Sequence, residues 1–264
     1  LPSRTAENLY WMGRYAERAE MTARLLRTIL QKMTERDEID DAVETECLHV
    51  LLRTLTSMTD TQPGFIGTGG AHRLRHPEPE LFKVLCDYKC GGSLSSTLQF
   101  MKQAAYRIRE RWSTDFWRVI DDTEEHLNTL RSVSQFTLIH ARDNLDQIVT
   151  DLVALSGLST ESMTRELGWI LLDCGRRVER ALLLISQLRA ALTRMLEQPL
   201  ESLVLEALLR GNESLITYRR RYHSYLQIQT VLDLLLMDDT NPRALIYQID
   251  RLQRHMSELP YDRT

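Results

Sequence analysis

The residues best suited to chemistry are arginines and glutamates in two matching heptapeptides. Gly-Arg-Tyr-Ala-Glu-Arg-Ala occupies residues 13–19, and Gly-Arg-Arg-Val-Glu-Arg-Ala occupies residues 175–181, 162 positions later. A guanidinium can bind a carboxylate or phosphate through two parallel hydrogen bonds, and a positioned glutamate can act as a general base. The candidate ligand-binding residues here are Arg14, Glu17 and Arg18 in the first heptapeptide and Arg176, Glu179 and Arg180 in the second.

Helical periodicity gives the arginines of the first heptapeptide unusual surroundings. Arg14 and Arg18 fall on a second apolar stripe of the helix, with Glu17 at its border, and the second heptapeptide repeats this arrangement. An unpaired buried charge costs several kcal/mol, so each arginine needs a partner. Two interpretations stay open: buried ion pairs that fix the packing of the helices, or two arginine clusters that bind a carboxylate, phosphate or peptide terminus. The ordinary core stripe of the same helix consists of Leu9, Met12, Ala16, Ala19, Ala23 and Leu26.

A second candidate group lies near the end of the chain. Tyr218, Arg219 and Tyr222 belong to a Tyr-Arg-Arg-Arg-Tyr segment, and Asn241 and Arg243 belong to Asp-Asp-Thr-Asn-Pro-Arg. Three adjacent arginines point in different directions around a helix, so at most two can share one site. The alternative interpretation is a solvated, charged helix.

Metal and cofactor sites receive little support from the sequence. His72 and His76 are followed by Cys86 and Cys90, a spacing compatible with zinc. We expect these to be loop histidines and half-buried thiols, and we expect no metal and no cofactor. The glycine-rich residues 67–70 lack the Gly-Lys-Ser/Thr of a phosphate loop, so we expect a mobile surface loop there.

The amino-acid composition limits the functional classes to which the protein can belong. The 264 residues are 43% hydrophobic and 27% charged, typical of a globular protein, and the net charge of −4 argues against nucleic-acid binding. We find no uncharged run near the roughly 18 apolar residues of a membrane span, and no signal peptide at the start of the sequence. We therefore expect a cytoplasmic protein with reduced thiols and no membrane contact.

The periodicity is helical almost throughout, and the matching heptapeptides indicate two large copies of one unit. We predict an all-α bundle built from an internal tandem duplication with pseudo-two-fold symmetry. Residues 1–92 form the first repeat, residues 93–158 are connecting helices that close the bundle, and residues 159–264 form the second repeat. The helices are expected near residues 4–35, 41–60, 79–89, 93–111, 114–131, 133–156, 160–196, 200–224, 225–237 and 242–258.

Several longer motifs resemble the Alpha-E family of bacterial helical proteins, which has a paired Glu-Arg motif. The resemblance covers essentially the whole chain, and it is carried by Asn-Leu-Tyr-Trp-Met-Gly-Arg at residues 8–14, the two heptapeptides, Met-Thr-Arg-Glu-Leu-Gly-Trp at 163–169, Tyr-Arg-Arg-Arg-Tyr at 218–222 and Asp-Asp-Thr-Asn-Pro-Arg at 238–243. The motif positions that carry over are Glu17-Arg18 and Glu179-Arg180. The sequence departs from the family pattern in two ways. The first copy has Cys-Gly-Gly at 90–92 in place of Asn-Pro-Arg, and relatives are expected to continue beyond residue 260.

The resemblance implies an all-helical tandem duplication and an association with circularly permuted ATP-grasp ligases, transglutaminase-like proteins and an N-terminal-nucleophile peptidase. It assigns no catalytic role to any residue. We therefore expect a non-catalytic, accessory partner of an ATP-grasp-type ligase or related peptide-modifying protein in cytosolic peptide synthesis or modification. The alternatives are an enzyme or anion-binding or peptide-binding protein that uses the Arg-Glu-Arg clusters, and a structural homo-oligomer.

Overall fold

A computed structural model describes residues 1–38, 42–132, 137–223 and 225–260. Within these ranges the chain is helical, without β-strands, which confirms the predicted fold class at the level of an all-α protein. A 3₁₀ turn at Arg109–Arg111 and a π-helical turn at Asp233–Met237 accompany the α-helices. These are α1 Ser3–Glu38, α2 Ala42–Thr59, α3 Gly70–Arg75, α4 Glu78–Cys86, α5 Leu94–Tyr106, α6 Thr114–Ser132, α7 Leu138–Ser162, α8 Leu167–Leu192, α9 Leu200–Gly211, α10 Leu215–Tyr222, α11 Ile228–Leu232 and α12 Leu245–Glu258.

Two long helices form the centre of the bundle. With 36 residues, α1 is about 54 Å long, and its most extensive partner is α8. Helices α5 and α7 also pack on α1. Helices α2 and α12 pack on α8, and α6 packs on α7. Each heptapeptide therefore lies on a helix that is covered by several neighbours.

The apolar stripes of α1 explain this central position. Five of the six residues of the predicted core stripe are buried, Ala16 being partly exposed. On the second stripe Met21 and Leu25 are buried as well, at 5% and 1% exposure. The prediction that this helix is covered on two sides is confirmed, since an amphipathic surface helix would bury only one stripe.

The predicted boundary between α7 and α8 is wrong. The sequence predicts one helix ending near residue 156 and the next beginning near 160, but α7 continues to Ser162 and α8 begins at Leu167. The hydroxyls of Ser159 and Thr160 donate to carbonyls four residues back, so they are satisfied inside α7 and cap nothing. The predicted domain division after residue 158 falls inside this helix, and that division stays a prediction.

Other boundaries differ near the end of the chain. The helix predicted over residues 200–224 is split, because Glu213 takes a positive φ of 53° and Ser214 N donates back to Leu209 O. The helix predicted from residue 242 begins at Leu245, since Asn241 forms a tight turn by accepting from Arg243 N at 3.1 Å. In the region predicted as a loop, α3 begins at Gly70. The predicted helix starts at 41 and 133 and the predicted helix end at 224 lie outside the described residues.

No helix in the described ranges combines the length and the apolar character that crossing a membrane requires.

Candidate functional site

The two heptapeptides meet where α1 crosses α8. A Cβ atom on Gly13 would lie 2.0 Å from Leu172 O, and one on Gly175 would lie 2.1 Å from Tyr10 O. Both distances are far below van der Waals contact, so only a glycine hydrogen fits. The glycines of the motif therefore allow the two backbones to touch, and this brings the neighbouring charged side chains together.

The arginines of each heptapeptide pair with the glutamate of the other. Glu179 accepts hydrogen bonds from Arg14 Nε and, at 2.6 Å, from Arg18 Nε. Glu17 accepts from Arg180 Nε at 2.5 Å and Arg180 Nη2 at 2.7 Å, and Arg176 Nε lies 3.9 Å from Glu17. Each of these arginines thus has the partner that the cost of an unpaired buried charge predicts, and the partner is a carboxylate of the opposite helix.

The direction of the helices follows from these pairs. Contacts advance along both helices together: Gly168 lies against Leu9, Gly13 lies against Leu172, and Arg180 bonds to Glu17, pairs that are 159, 159 and 163 positions apart in sequence. Because the residue numbers rise together along the interface, α1 and α8 run in the same direction. The bonds join the helices across their interface rather than linking one turn of a helix to the next.

The arginine side chains are mostly buried, as an apolar stripe predicts, but the glutamates are buried more deeply than their border position predicts. Glu17 and Glu179, expected at the border of an apolar stripe, have side chains only 0% and 2% exposed. Among the arginines, Arg180 is 8% exposed and Arg18 is 29% exposed. The short glutamates fit between the helix backbones, whereas an arginine stem can follow an apolar surface and bring its charged end towards water.

The Glu17 pair continues into a larger buried network that sequence reasoning missed. Glu20 accepts from Arg24 Nε at 2.9 Å and from Arg243 Nη2 at 2.8 Å. Burial alone would raise the pKa of Glu20, but the charges of Arg243, Arg180 and Arg24 outweigh it and lower the pKa to about 2. Burial also opposes the charge of Arg180, but Glu17 raises its pKa above the ordinary value. Residues 17, 20 and 24 follow helical spacing, a signal from which this charged face could have been read.

The Asn-Pro-Arg segment closes the same network. Arg180 Nη1 donates to Pro242 O at 3.2 Å, and Arg243 Nη1 lies 3.8 Å from Glu17. Asn241 is buried, and its side chain donates to Leu234 O at 3.0 Å. Arg243 therefore joins the predicted cluster, whereas Asn241 holds the turn that carries it.

The Glu179 pair is more open and faces a row of aromatic rings. Trp11 stacks on Tyr15 with ring centroids 5.5 Å apart, and Tyr15 stacks on Phe100 of α5 at 5.6 Å. Arg14 lies over the Trp11 ring, and Arg18 lies over the Tyr15 ring. We call Trp11, Tyr15 and Phe100 the aromatic ladder; Trp11 and Phe100 are exposed. The spacing of four between the α1 rings is visible in the sequence, but the contribution of α5 is not.

The Tyr-Arg-Arg-Arg-Tyr segment lies apart from these pairs. Tyr218 is completely buried and its hydroxyl contacts Thr230 at 2.6 Å, while Tyr222 donates to Asp233 at 2.8 Å. Arg219 is exposed and lies 3.5 Å from Glu206. These contacts join α10 to α9 and to the turns that follow, and in the described ranges none reaches Glu17 or Glu179. Tyr222 and Arg219 remain candidates only as a separate surface, to which the buried side chain of Tyr218 does not contribute.

The structure does not support the zinc site considered as an alternative. Across the described residues, no three histidine, cysteine, aspartate or glutamate side chains are placed to hold a metal ion. His72 and His76 lie ring to ring at 5.1 Å, and burial raises the pKa of the Cys86 thiol to about 11. Cys90 is partly exposed. The structure thus does not assemble His72, His76, Cys86 and Cys90 into a site.

Comparisons with known proteins agree with the motifs. A family model named Alpha-E, described as a predicted alpha-helical domain with a conserved ER motif, matches residues 1–264. Uncharacterized protein Rv2567 of Mycobacterium tuberculosis and uncharacterized protein Mb2597 of Mycobacterium bovis are each 32% identical over 265 residues, covering 97% of this chain. The chain spans about 30% of the length of these relatives. No solved structure matches it. With the match over its whole length and both Glu-Arg pairs in place, the chain belongs to the Alpha-E family.

Proposed function

We propose that this protein is a non-catalytic, accessory partner of an ATP-grasp-type ligase or related peptide-modifying protein in cytosolic bacterial peptide synthesis or modification. One observation carries the non-catalytic part: both motif glutamates are buried and each is bound by arginine from the opposite helix. A general base must reach the proton that it removes. The Glu-Arg motif instead builds the helix crossing.

Two further observations support a partner role. The family resemblance associates such chains with circularly permuted ATP-grasp ligases. In the mycobacterial relatives the matched segment is 30% of the polypeptide, so an Alpha-E unit is joined there to further sequence. A unit that works beside other domains needs a contact surface more than an active site.

The aromatic ladder is the surface we propose for the partner. Tryptophan, tyrosine and arginine are the residues that most often dominate binding energy at protein interfaces. Trp11 and Phe100 are 36% and 46% exposed, and Arg14 and Arg18 share the single carboxylate of Glu179. The patch therefore carries an excess positive charge, which complements an acidic patch on the partner.

Co-purification tests the proposal. An untagged circularly permuted ATP-grasp ligase from the same organism should co-elute with the tagged protein. The double variant Trp11→Ala and Phe100→Ala should abolish co-elution with little change in thermal unfolding. Ile216→Ala is the matched control, since Ile216 is 74% exposed on α10. Loss of binding in the control as well, or turnover of substrate by the isolated protein, would contradict the proposal. Self-association that the ladder variants abolish, without ligase binding, would favour the structural homo-oligomer.

The excess of arginine favours a second candidate, an anion-binding or peptide-binding site at Arg14 and Arg18. Glu179 neutralises one charge of two, and Arg18 remains 29% exposed. A panel of sulfate, phosphate, carboxylates and short peptides at constant ionic strength should then raise the unfolding temperature. Arg18→Lys keeps the charge but loses the planar fork, so it should weaken this response sharply. A flat response across the panel would exclude the candidate.

We also propose that the fold is a tandem duplication with a pseudo-two-fold axis between α1 and α8. Support comes from the reciprocal glycine contacts and ion pairs, which join residues 159 to 165 positions apart, on either side of the 162-residue offset of the heptapeptides. Helix α2 of the first repeat packs on α8, and helix α9 of the second repeat packs on α1. An experimental structure should superpose residues 1 to about 90 on residues 163 to about 260. Non-equivalent positions for the two Glu-Arg helices after that superposition would refute the duplication.

A further inference from the structure

Away from the helix crossing, a cavity of about 270 Å³ lies between α5 and α6. Its walls are mainly apolar: Leu98 and Met101 come from α5, and Ile120 and Leu127 come from α6, and all four are at least 95% buried. This volume is just below the range of about 300–1,000 Å³ that is usual for small-ligand sites. The space suits one amino-acid-sized apolar group, not a nucleotide.

The charged residues of the cavity differ in how they are satisfied. Lys102 of α5 pairs with Glu124 of α6, so these two charges cancel. Arg131 donates to three neutral groups: Cys86 O at 3.3 Å, Asn128 Oδ1 at 3.2 Å and Ser95 Oγ. Among the residues that the structure describes, no carboxylate lies within 4.0 Å of the Arg131 guanidinium.

Arg131 is therefore held in position with its charge unpaired. A guanidinium has five N–H donors. The three bonds use one donor on Nε and one on each terminal nitrogen, so each terminal nitrogen keeps one N–H that no group in the described ranges accepts. Two donors are the number that a bidentate carboxylate takes up, and a fixed guanidinium loses little side-chain freedom when it binds one.

We propose that this cavity binds the carboxylate of an apolar amino acid, either free or at the C-terminus of a peptide. The carboxylate pairs with Arg131, and the apolar side chain fills the space beside Met101 and Leu127. The site is separate from the proposed partner surface, and the inference does not depend on the proposed function.

Three small probes test the chemistry by calorimetry. N-acetyl-leucine should bind, N-acetyl-leucinamide has the same body without the carboxylate, and acetate has the carboxylate without the body. A charge-assisted hydrogen bond contributes about 1.5–3 kcal/mol, so the amide should bind about tenfold or more weakly. Acetate should bind more weakly still. Equal binding of N-acetyl-leucine and its amide would overturn the proposal, and so would no binding of N-acetyl-leucine at millimolar concentration.

Variants locate the site. Arg131→Gln should weaken N-acetyl-leucine about tenfold, whereas Arg118→Gln, an exposed change of the same kind on α6, should leave it unchanged. Thr123→Leu fills the cavity and should also weaken binding. The methyl NMR signal of Met101 should shift on titration. Unaltered binding to Arg131→Gln, or no Met101 shift, would overturn the proposal. Comparison of leucine with leucine-terminated peptides then distinguishes the two sources of the carboxylate.

Discussion

Removing the two motif glutamates should have unequal effects on stability. The two residues occupy corresponding positions in the heptapeptides, and each holds arginine from the opposite helix. They differ in what surrounds the arginines. We predict that Glu17→Ala destabilises the protein considerably more than Glu179→Ala does.

The magnitude follows from burial. Glu17 is 0% exposed and its principal partner Arg180 is 8% exposed, so the substitution leaves a guanidinium that cannot reach water. Breaking a buried pair in this way costs about 3–5 kcal/mol. The partners of Glu179 are 15% and 29% exposed, so they can turn towards solvent. We expect about 1–3 kcal/mol there, the cost of a partly desolvated group that loses its partner.

Chemical denaturation at pH 7 measures both values, with the slope against urea checked for two-state behaviour. Glu206→Ala is the surface control, because Glu206 pairs with half-exposed Arg210, and about 0.5 kcal/mol or less is expected. Replacing Glu17 and Arg180 together by leucine and methionine should recover part of the loss, since the Arg180 charge is gone while Arg176 still lacks its carboxylate. Equal losses for Glu17→Ala and Glu179→Ala, or a loss near the control value, would refute this account of the motif.

Three further predictions concern two glycines, the buried carboxylate of Glu20 and the reactivity of the cysteines. Alanine stabilises a helix by about 1 kcal/mol relative to glycine, so Gly157→Ala should raise the unfolding temperature, because the added Cβ would meet open space. Gly13→Ala should lower the unfolding temperature, because its Cβ would lie 2.0 Å from a carbonyl oxygen of α8. The pKa of Glu20 is lowered from 4.5 to about 2, so its stabilisation is present above about pH 4.5 and is lost as the pH falls towards 2; Glu20→Gln should reduce stability at pH 7 and flatten its fall in acid, as urea titrations at several pH values would show. Iodoacetamide at pH 8 should label Cys90, which is partly exposed, and spare the other three cysteines, because burial raises their pKa values to about 11 or 12. Mass spectrometry after labelling of the native protein measures this, and early labelling of another cysteine would contradict the prediction.

The sequence predicted those features that depend on one helix at a time. Periodicity predicted two apolar stripes on α1, and the cost of an unpaired buried charge predicted a partner for Arg14 and Arg18. The identity of that carboxylate depends on which helix packs against α1, and the cross-pairing with Glu179 is therefore visible only in the structure. The contribution of Phe100 from α5 was missed for the same reason.

Helix ends were predicted less well, because the residues used as signals have more than one role. Gly157 and Ser159 are residue types that commonly end and begin helices, but glycine is tolerated inside a helix and a serine hydroxyl can bond to the carbonyl four residues back. Asn241 precedes a proline as a cap residue would, yet its side chain holds a turn and the carbonyl of Leu234. Such choices are made by tertiary contacts that local sequence does not encode.

The surroundings of the two glutamates also explain how similar heptapeptides can serve different ends. On the Glu17 side, Glu20 and Arg24 continue the charges inward, and Arg243 covers them. The positions 162 residues after Glu20 and Arg24 are Leu182 and Ser186, so the Glu179 side has no second carboxylate from the equivalent turns. Leu182, one turn beyond Glu179, is 52% exposed. One ion pair is therefore enclosed within the bundle as part of its core. The other is held rigid by the same helix crossing but lies at a surface rich in aromatic side chains, where the proposed partner can reach it.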